Sequence, residues 1–368
     1  MSNEAVYLDS ASSEPLHPAA RETLIAALDA GYADPRRLHG PARNARLLLD
    51  NARTVFADCL GVRADEVTFT SSGTSAVHLG LLGLARARSS RGDVIVLSEV
   101  EHSAVRHAAT WGGTPRLVGV MSNGRVYEGD LVESSMGPGV AVCALQSANH
   151  EVGTVQPVGE FRLPNDVPLF VDACASMGRL PLPSGWSALA GSAHRWGGPA
   201  GVGVLLVRTG TRWESPYPAD DRTDHRASGF ENVPAALAAA AALQAVVAER
   251  AEVNARQHAL IDRIRSAAGA IPDVDVVGDP VDRLPHLVTF SCLYVNGEAL
   301  VSELDRRGFG VASGSACTAS TLEPSHVLVA MGALTHGNVR VSLTRSTTQA
   351  QVEAFCATLS DVVTRLRA

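Results

Sequence analysis

One stretch near the C-terminal end joins the residue types that thiol chemistry needs. Residues 310–318 read Gly-Val-Ala-Ser-Gly-Ser-Ala-Cys-Thr, and Leu322-Glu323-Pro324-Ser325-His326 follows. Glycine and serine bury little apolar area and propagate helices poorly, so the run is expected to be an exposed loop. A cysteine on such a loop can present its thiolate as a nucleophile. Cys317 reads equally as a small core residue in a Gly-rich turn, where free cysteine usually sits. A second candidate is Ser71-Ser72-Gly73-Thr74-Ser75, between an expected strand, residues 66–70, and an expected helix, residues 79–87. Strand, small-residue turn and helix together present backbone N–H groups to an anion, although many α/β turns share this pattern without a ligand.

The elements that would position these residues alternate. Helices are expected over 19–30, 42–60 (ending at Gly61), 233–268, 298–307 and 349–366, with Ala235 to Ala242 helical in composition. Apolar strands are expected over 93–97, 140–145, 168–172, 201–207 and 286–290. Apolar strands separated by helices predict a mostly parallel sheet covered on both faces. Thr74, His102, Asn149 and Asp172 each follow a strand, at the edge where open α/β sheets bind ligands.

Composition sets bounds. The chain has 368 residues, enough for two lobes, with 46% hydrophobic residues and a net charge of −7. That charge argues against direct nucleic-acid binding and a membrane surface. No leader and no apolar run of membrane-spanning length is expected. Six cysteines (Cys59, Cys143, Cys174, Cys292, Cys317 and Cys356) lack the spacing of a metal site or disulfide framework, so a reducing cytoplasm fits best.

Several segments, in order, resemble the NifS/IscS-like cysteine desulfurases of the class-V aminotransferase fold. They are Tyr7-Leu8-Asp9-Ser10-Ala11, Phe69 to Thr74, Glu101-His102, Asn149 to Pro157, Val171-Asp172-Ala173, Ser192 to Pro199, Ser313-Gly314-Ser315-Ala316-Cys317 and Val339 to Leu343. The resemblance implies an α/β, fold-type-I PLP-dependent transferase architecture. A large, mostly parallel α/β lobe (14–245) would carry pyridoxal 5′-phosphate (PLP). A smaller α+β lobe (1–13 and 246–368) would carry the cysteine loop. It also implies a homodimer, L-cysteine or a related thiol as substrate, and a sulfur-acceptor protein. Residue by residue, Asp172 would pair with the ring nitrogen, and His102 would stack on the ring and move protons. Gly73, Thr74, Ser192 and His194 would hold the phosphate. Asn149 would lie near the ring oxygen and substrate, and Arg340 would grip the substrate carboxylate. Cys317 would take the sulfur as a persulfide.

One position breaks the pattern. The Schiff-base lysine should follow His194, and Arg195 stands there. A guanidinium stays protonated and is a poor nucleophile, so Arg195 cannot form an imine and is a poor base. All 31 basic residues counted as Lys plus Arg are arginine. Three explanations fit: lysines exchanged for arginine throughout, a relative that has abandoned PLP catalysis, or one replacement that traps a complex. Ala175 stands where the family has a glutamine on the ring oxygen. Phe230 stands where a partner-subunit threonine would touch the phosphate, and Ser75 and Val77 replace polar residues after the phosphate turn. The expectation is therefore a desulfurase-like enzyme with impaired or altered PLP chemistry, PLP being non-covalent or absent. The alternative is a PLP-independent sulfur carrier or scaffold.

Overall fold

The computed structural model describes residues 5–30, 32–164, 166–218, 224, 226–313 and 324–368. Cys317 and its loop therefore lie outside the described residues. In chain order the elements are β1 (Val6–Tyr7), α1 (Pro18–Asp29), α2 (Gly40–Leu60), β2 (Val67–Thr70), α3 (Gly73–Arg86), β3 (Val94–Ser98), α4 (Ser103–Gly112), β4 (Thr114–Val118) and α5 (Glu128–Met136). Strands β5 (Val140–Ala144), β6 (Leu169–Asp172), β7 (Ala188–Ser192) and β8 (Gly203–Val207) follow, then α6 (Val233–Gly269), β9 (Val274–Val277), β10 (Leu287–Cys292), α7 (Gly297–Arg306), β11 (Phe309–Gly310), α8 (His326–Ala330), β12 (Asn338–Ser342) and α9 (Gln349–Arg367).

The apolar runs form a seven-stranded sheet in the order β2-β8-β7-β6-β5-β3-β4. Neighbours pair in parallel from β7 to β4, whereas β8 runs antiparallel to both β7 and β2. Every residue of β5 to β8 is buried, as strands covered on both faces must be. Helix α3 covers one face and packs hard. A Cβ on Gly80 would lie 2.5 Å from Phe170, and one on Gly83 would lie 2.0 Å from Trp213. A second core surrounds the antiparallel sheet β12-β10-β9, with α7 and α9 against it.

Helix α6 joins the two cores. Its Ala-rich first half packs with α1 and α2, and Leu260, Ile261, Ile264 and Ala268 enter the second core. By length and composition this helix would suffice to cross a membrane, contrary to the expectation of no such run. Its buried alanines instead let α1 and α2 approach closely, as in the core helix of a globular protein.

Expected elements recur with shifted ends, and some were not legible. Helix α3 begins at Gly73, six residues before the expected Leu79, because Ser72 caps it: Ser72 Oγ accepts from the Ser75 N–H at 3.0 Å. Gly, Thr and Ser in that first turn read as a loop. Strand β7, Ala-Leu-Ala-Gly-Ser, is poor in β-branched residues, and β12 carries Asn338, Arg340 and Ser342. Pairing on both sides makes β7 a strand; β12 pairs with β10 on one side and bridges singly to Asp9 and Ala312 on the other.

Candidate active site

The C-terminal edge of the sheet opens into a cavity of about 110 Å³. Ser72, Gly73, Thr74, His102, Asp172, Cys174, Ser192, His194 and Arg195 are in its wall, with Gln146, Ala148, His150 and Ala175. Seven residues singled out from the sequence thus meet in one place: Gly73, Thr74, His102, Asp172, Ser192, His194 and Arg195. A larger surface groove of about 460 Å³ is lined by α2 with Asp65, Asp224 and Arg226, and its Arg53 is paired with Asp50 at 2.9 Å and Asp224 at 3.8 Å.

Each wall residue is set by an element end. The start of α3 presses on the end of β7: a Cβ on Gly73 would lie 2.6 Å from Ser192 Cβ and 2.8 Å from its Oγ. Only glycine allows that approach. The first-turn N–H groups of Gly73 and Thr74 have no acceptor within an α-helix and face a site open to anions. Asp172 ends β6 and is 7% exposed; its Oδ1 accepts from the Cys174 N–H at 2.9 Å. Ser192 ends β7 and shares a 3.0 Å hydrogen bond with His194 Nδ1. A single 3₁₀ turn, Ala193–Arg195, then delivers Arg195 to the cavity. Gly197, at φ +85°, turns the chain away where a Cβ would sit 3.2 Å from the Pro15 carbonyl oxygen.

His102 caps α4, and its Nδ1 accepts from the Ala104 N–H at 3.1 Å. In the neutral ring the proton therefore lies on Nε2. Burial pushes His102 towards the neutral form; Asp172 opposes this, and Arg195 and His107 add to it. The His150 ring lies edge-on to His102, with centroids 4.7 Å apart, and its pKa falls well below the usual value through burial and then through His102, Arg195 and Arg340. Behind them Glu101 is fully buried. Its Oε1 accepts from the Gln146 N–H at 2.7 Å, and burial raises its pKa to about 8. Burial, and then Asp172, push the Cys174 thiol well up, so it is held as a thiol.

Two residues fall outside this wall. The Asn149 side chain is consumed by its own turn: Oδ1 accepts from the N–H groups of Glu151 and Val152, both at 2.8 Å, and Nδ2 donates to the Val100 carbonyl oxygen. Arg340 donates through Nη1 to the His150 carbonyl oxygen at 3.1 Å and through Nη2 to Asp9 Oδ1 at 2.8 Å. The described ends of the cysteine loop flank the site. Ala312 bridges Arg340, and His326 Nε2 donates to the Glu101 carbonyl oxygen at 2.9 Å.

Comparison with known proteins agrees with this geometry. The sequence profile of the class-V aminotransferase family matches residues 6–355. The cysteine desulfurase IscS of Methanosarcina thermophila is 30% identical over 378 residues, covering 99% of this chain and 93% of that protein. An IscS-like cysteine desulfurase of Mycobacterium tuberculosis is 35% identical over 382 residues, covering 98% and 97%. The chain belongs to the cysteine desulfurase family of class-V aminotransferases. Among solved structures, a NifS-like protein superimposes with a TM-score of 0.89 at 26% identity, covering 98% of this chain and all of that one.

A cysteine desulfurase-family cavity is expected to hold PLP, and the wall fits that cofactor only in part. The α3 N-terminus with Thr74, Ser192 and His194 has the donors a phosphate needs, Asp172 offers a carboxylate, and His102 offers a ring face. The covalent anchor does not fit. Arg195 stands in the wall, and a chain whose basic side chains are arginine and histidine has no side-chain amine to condense with an aldehyde. Sequence reasoning missed His150, Cys174 and Asp9 as parts of this region. His150 lies inside the quoted 149–157 segment and was within reach, but nothing in the spacing couples Asp9 to a residue 331 positions away.

Proposed function

We propose that this chain is a desulfurase-like sulfur-mobilising protein in which Cys317 receives sulfur as a persulfide and PLP is held without a covalent bond. The observation carrying this reading is that Arg195 shares one cavity wall with Thr74, His102, Asp172, Ser192 and His194. PLP, when bound, supplies the electron sink that loosens bonds at the α-carbon of an amino acid. This chain's own groups would orient it: Gly73 and Thr74 N–H groups, Ser192 and His194 at the phosphate, Asp172 at the ring nitrogen. His102, largely neutral with its proton on Nε2, would donate or accept a proton over the ring. Asn149 would act through the turn it braces, and Arg340 would hold the substrate carboxylate. Cys317 lies five residues beyond Ala312, a span of at most about 18 Å. The anchoring of Ala312 on Arg340 and of His326 on Glu101 supports its access to the cavity.

The division into a cofactor lobe (14–245) and a cysteine-loop lobe (1–13 with 246–368) belongs to the same reading. So do L-cysteine as substrate, a sulfur-acceptor protein, a homodimer and a cytoplasmic setting. Exposed apolar side chains on α1, on α2 and just before α6, namely Leu28, Leu47 and Phe230, support a partner copy.

The arginine-only composition favours a second reading, a PLP-independent sulfur carrier or scaffold. One experiment separates the two: incubate the protein with L-cysteine plus PLP, or with a persulfide donor alone, and follow alanine release and the mass of the Cys317 peptide. The first reading expects Cys317 persulfide with L-cysteine and PLP, with one alanine released for each persulfide formed and little further turnover. The carrier labels Cys317 with the donor alone. Rapid alanine turnover would contradict the account of Arg195.

A further inference from the structure

The assigned carboxylate grip is already occupied by the protein itself. Arg340 lies on β12 and is 5% exposed. Its Nη2 donates to Asp9 Oδ1 at 2.8 Å and to Ser12 Oγ at 2.6 Å, and Ser12 Oγ in turn donates to Asp9 Oδ1 at 2.9 Å. Nη1 is held by the carbonyl of His150, whose ring lines the cavity. Nε is buried and, among the described residues, has no acceptor. The Asp9 side chain is 22% exposed against 6% for Arg340, so the approach from solvent runs past Asp9.

Resting on the reading of Arg340 as the substrate-carboxylate residue, we propose that Asp9 is a built-in competitor: an incoming α-carboxylate must exchange with the Asp9 carboxylate on Arg340. Three observations carry this. First, the N-terminal segment does not need the ion pair to stay in place. Val6 and Leu8 N–H groups bond the carbonyls of Gly308 and Gly310, Ser342 N–H bonds the Leu8 carbonyl, Ser10 Oγ bonds the Leu343 carbonyl, and the Ala11 N–H bonds Ser342 Oγ, all at 2.7–2.8 Å. Tyr7 Oη also holds the carbonyls of Asp9 and Ser13. The Asp9 side chain can swing away while its backbone remains fixed.

Second, a buried guanidinium needs a counter-charge, and few are at hand. Glu151 bears on Arg340 electrostatically, but the carboxylate in direct ion-pair contact with Arg340 is that of Asp9. Third, both N–H groups of Nη2 are taken, by Asp9 and Ser12, so a bidentate carboxylate that uses Nη2 must displace the Asp9–Ser12 pair. The exchange sets specificity. A simple carboxylate gains nothing by replacing one carboxylate with another. An α-amino acid with a second foothold in the cavity does gain, because its amine and side chain bind as well.

The test measures the dissociation constant of L-alanine, which has the substrate's carboxylate without its thiol, by saturation-transfer NMR on the full chain. Asp9→Asn is expected to bind about tenfold more tightly than the unaltered protein, and Arg340→Ala to lose binding. Ser12→Ala keeps both charges and removes the two hydrogen bonds by which Ser12 ties Arg340 to Asp9; it is expected to gain about two- to threefold and keeps the proposal testable if Asp9→Asn does not fold. Affinity equal to or below that of the unaltered protein in Asp9→Asn and Ser12→Ala, with binding lost in Arg340→Ala, would overturn the exchange alone. Unchanged binding in Arg340→Ala would overturn the assignment of Arg340 itself. If the unaltered protein shows no binding, its appearance in Asp9→Asn supports the exchange, and its absence there overturns it.

Discussion

A few buried ionisable groups set the character of the cavity. Glu101 keeps its proton to about pH 8 in the fold, against 4.5 for an unperturbed carboxyl, because burial outweighs the Gln146 N–H that favours the anion. Its contribution to stability is therefore complete below pH 4.5 and is lost as pH rises through 8. Glu101→Gln stays neutral throughout and preserves an acceptor for Gln146. Its melting temperature should match that of the unaltered protein near pH 4 and exceed it by several degrees at pH 9. Equal melting temperatures at both pH values would mean that Glu101 ionises without penalty. The sequence showed that a Glu-His pair followed a strand, but not that the glutamate would be sealed off behind its neighbour. Arg195 and His102 were legible because each lies inside a short motif. His150 and Cys174 became visible only when the sheet edge brought motif neighbours to one wall.

Among the elements, the junction of α3 with β7 matters most. Ser72 caps the helix whose first turn lines the cavity, and Gly73 lets it touch Ser192. Ser72→Ala should cost about 1 kcal/mol in urea unfolding. Gly73→Ala should cost on the order of 2 kcal/mol, since the new methyl must push β7 away. It should also weaken PLP retention in equilibrium dialysis, whereas Gly61→Ala, at the far end of α2, should leave retention unchanged. Equal retention in both variants would remove α3 from the cofactor site. The alternation of apolar strands and helices was readable because β5, β6 and β8 are continuous apolar runs. Strands β7 and β12 were not, because pairing overrides their weak local preference. The start of α3 was hidden for the opposite reason: the small residues of its first turn, proposed to hold the phosphate, also make it look like a turn.

In the whole molecule, two cores share one helix, and the proposed carboxylate site lies where the N-terminal segment crosses the C-terminal sheet. Such a meeting of Asp9 with Arg340 leaves no mark on local sequence. The exposed Leu28 on α1 and Leu47 on α2 support the proposed dimer. Leu28→Arg together with Leu47→Glu should move the sedimentation coefficient from that of a dimer to that of a monomer, and a monomer before substitution would contradict the proposed assembly. The most direct test of the central claim asks whether the Arg195 wall is a PLP site deprived of its amine. The measurement is the visible absorbance of Arg195→Lys mixed with PLP, followed by borohydride reduction and mass analysis of the peptide containing residue 195. The account predicts a protein-bound band absent from the unaltered chain and a pyridoxyl group fixed at position 195. No band and no label at 195 in a correctly folded variant would contradict it.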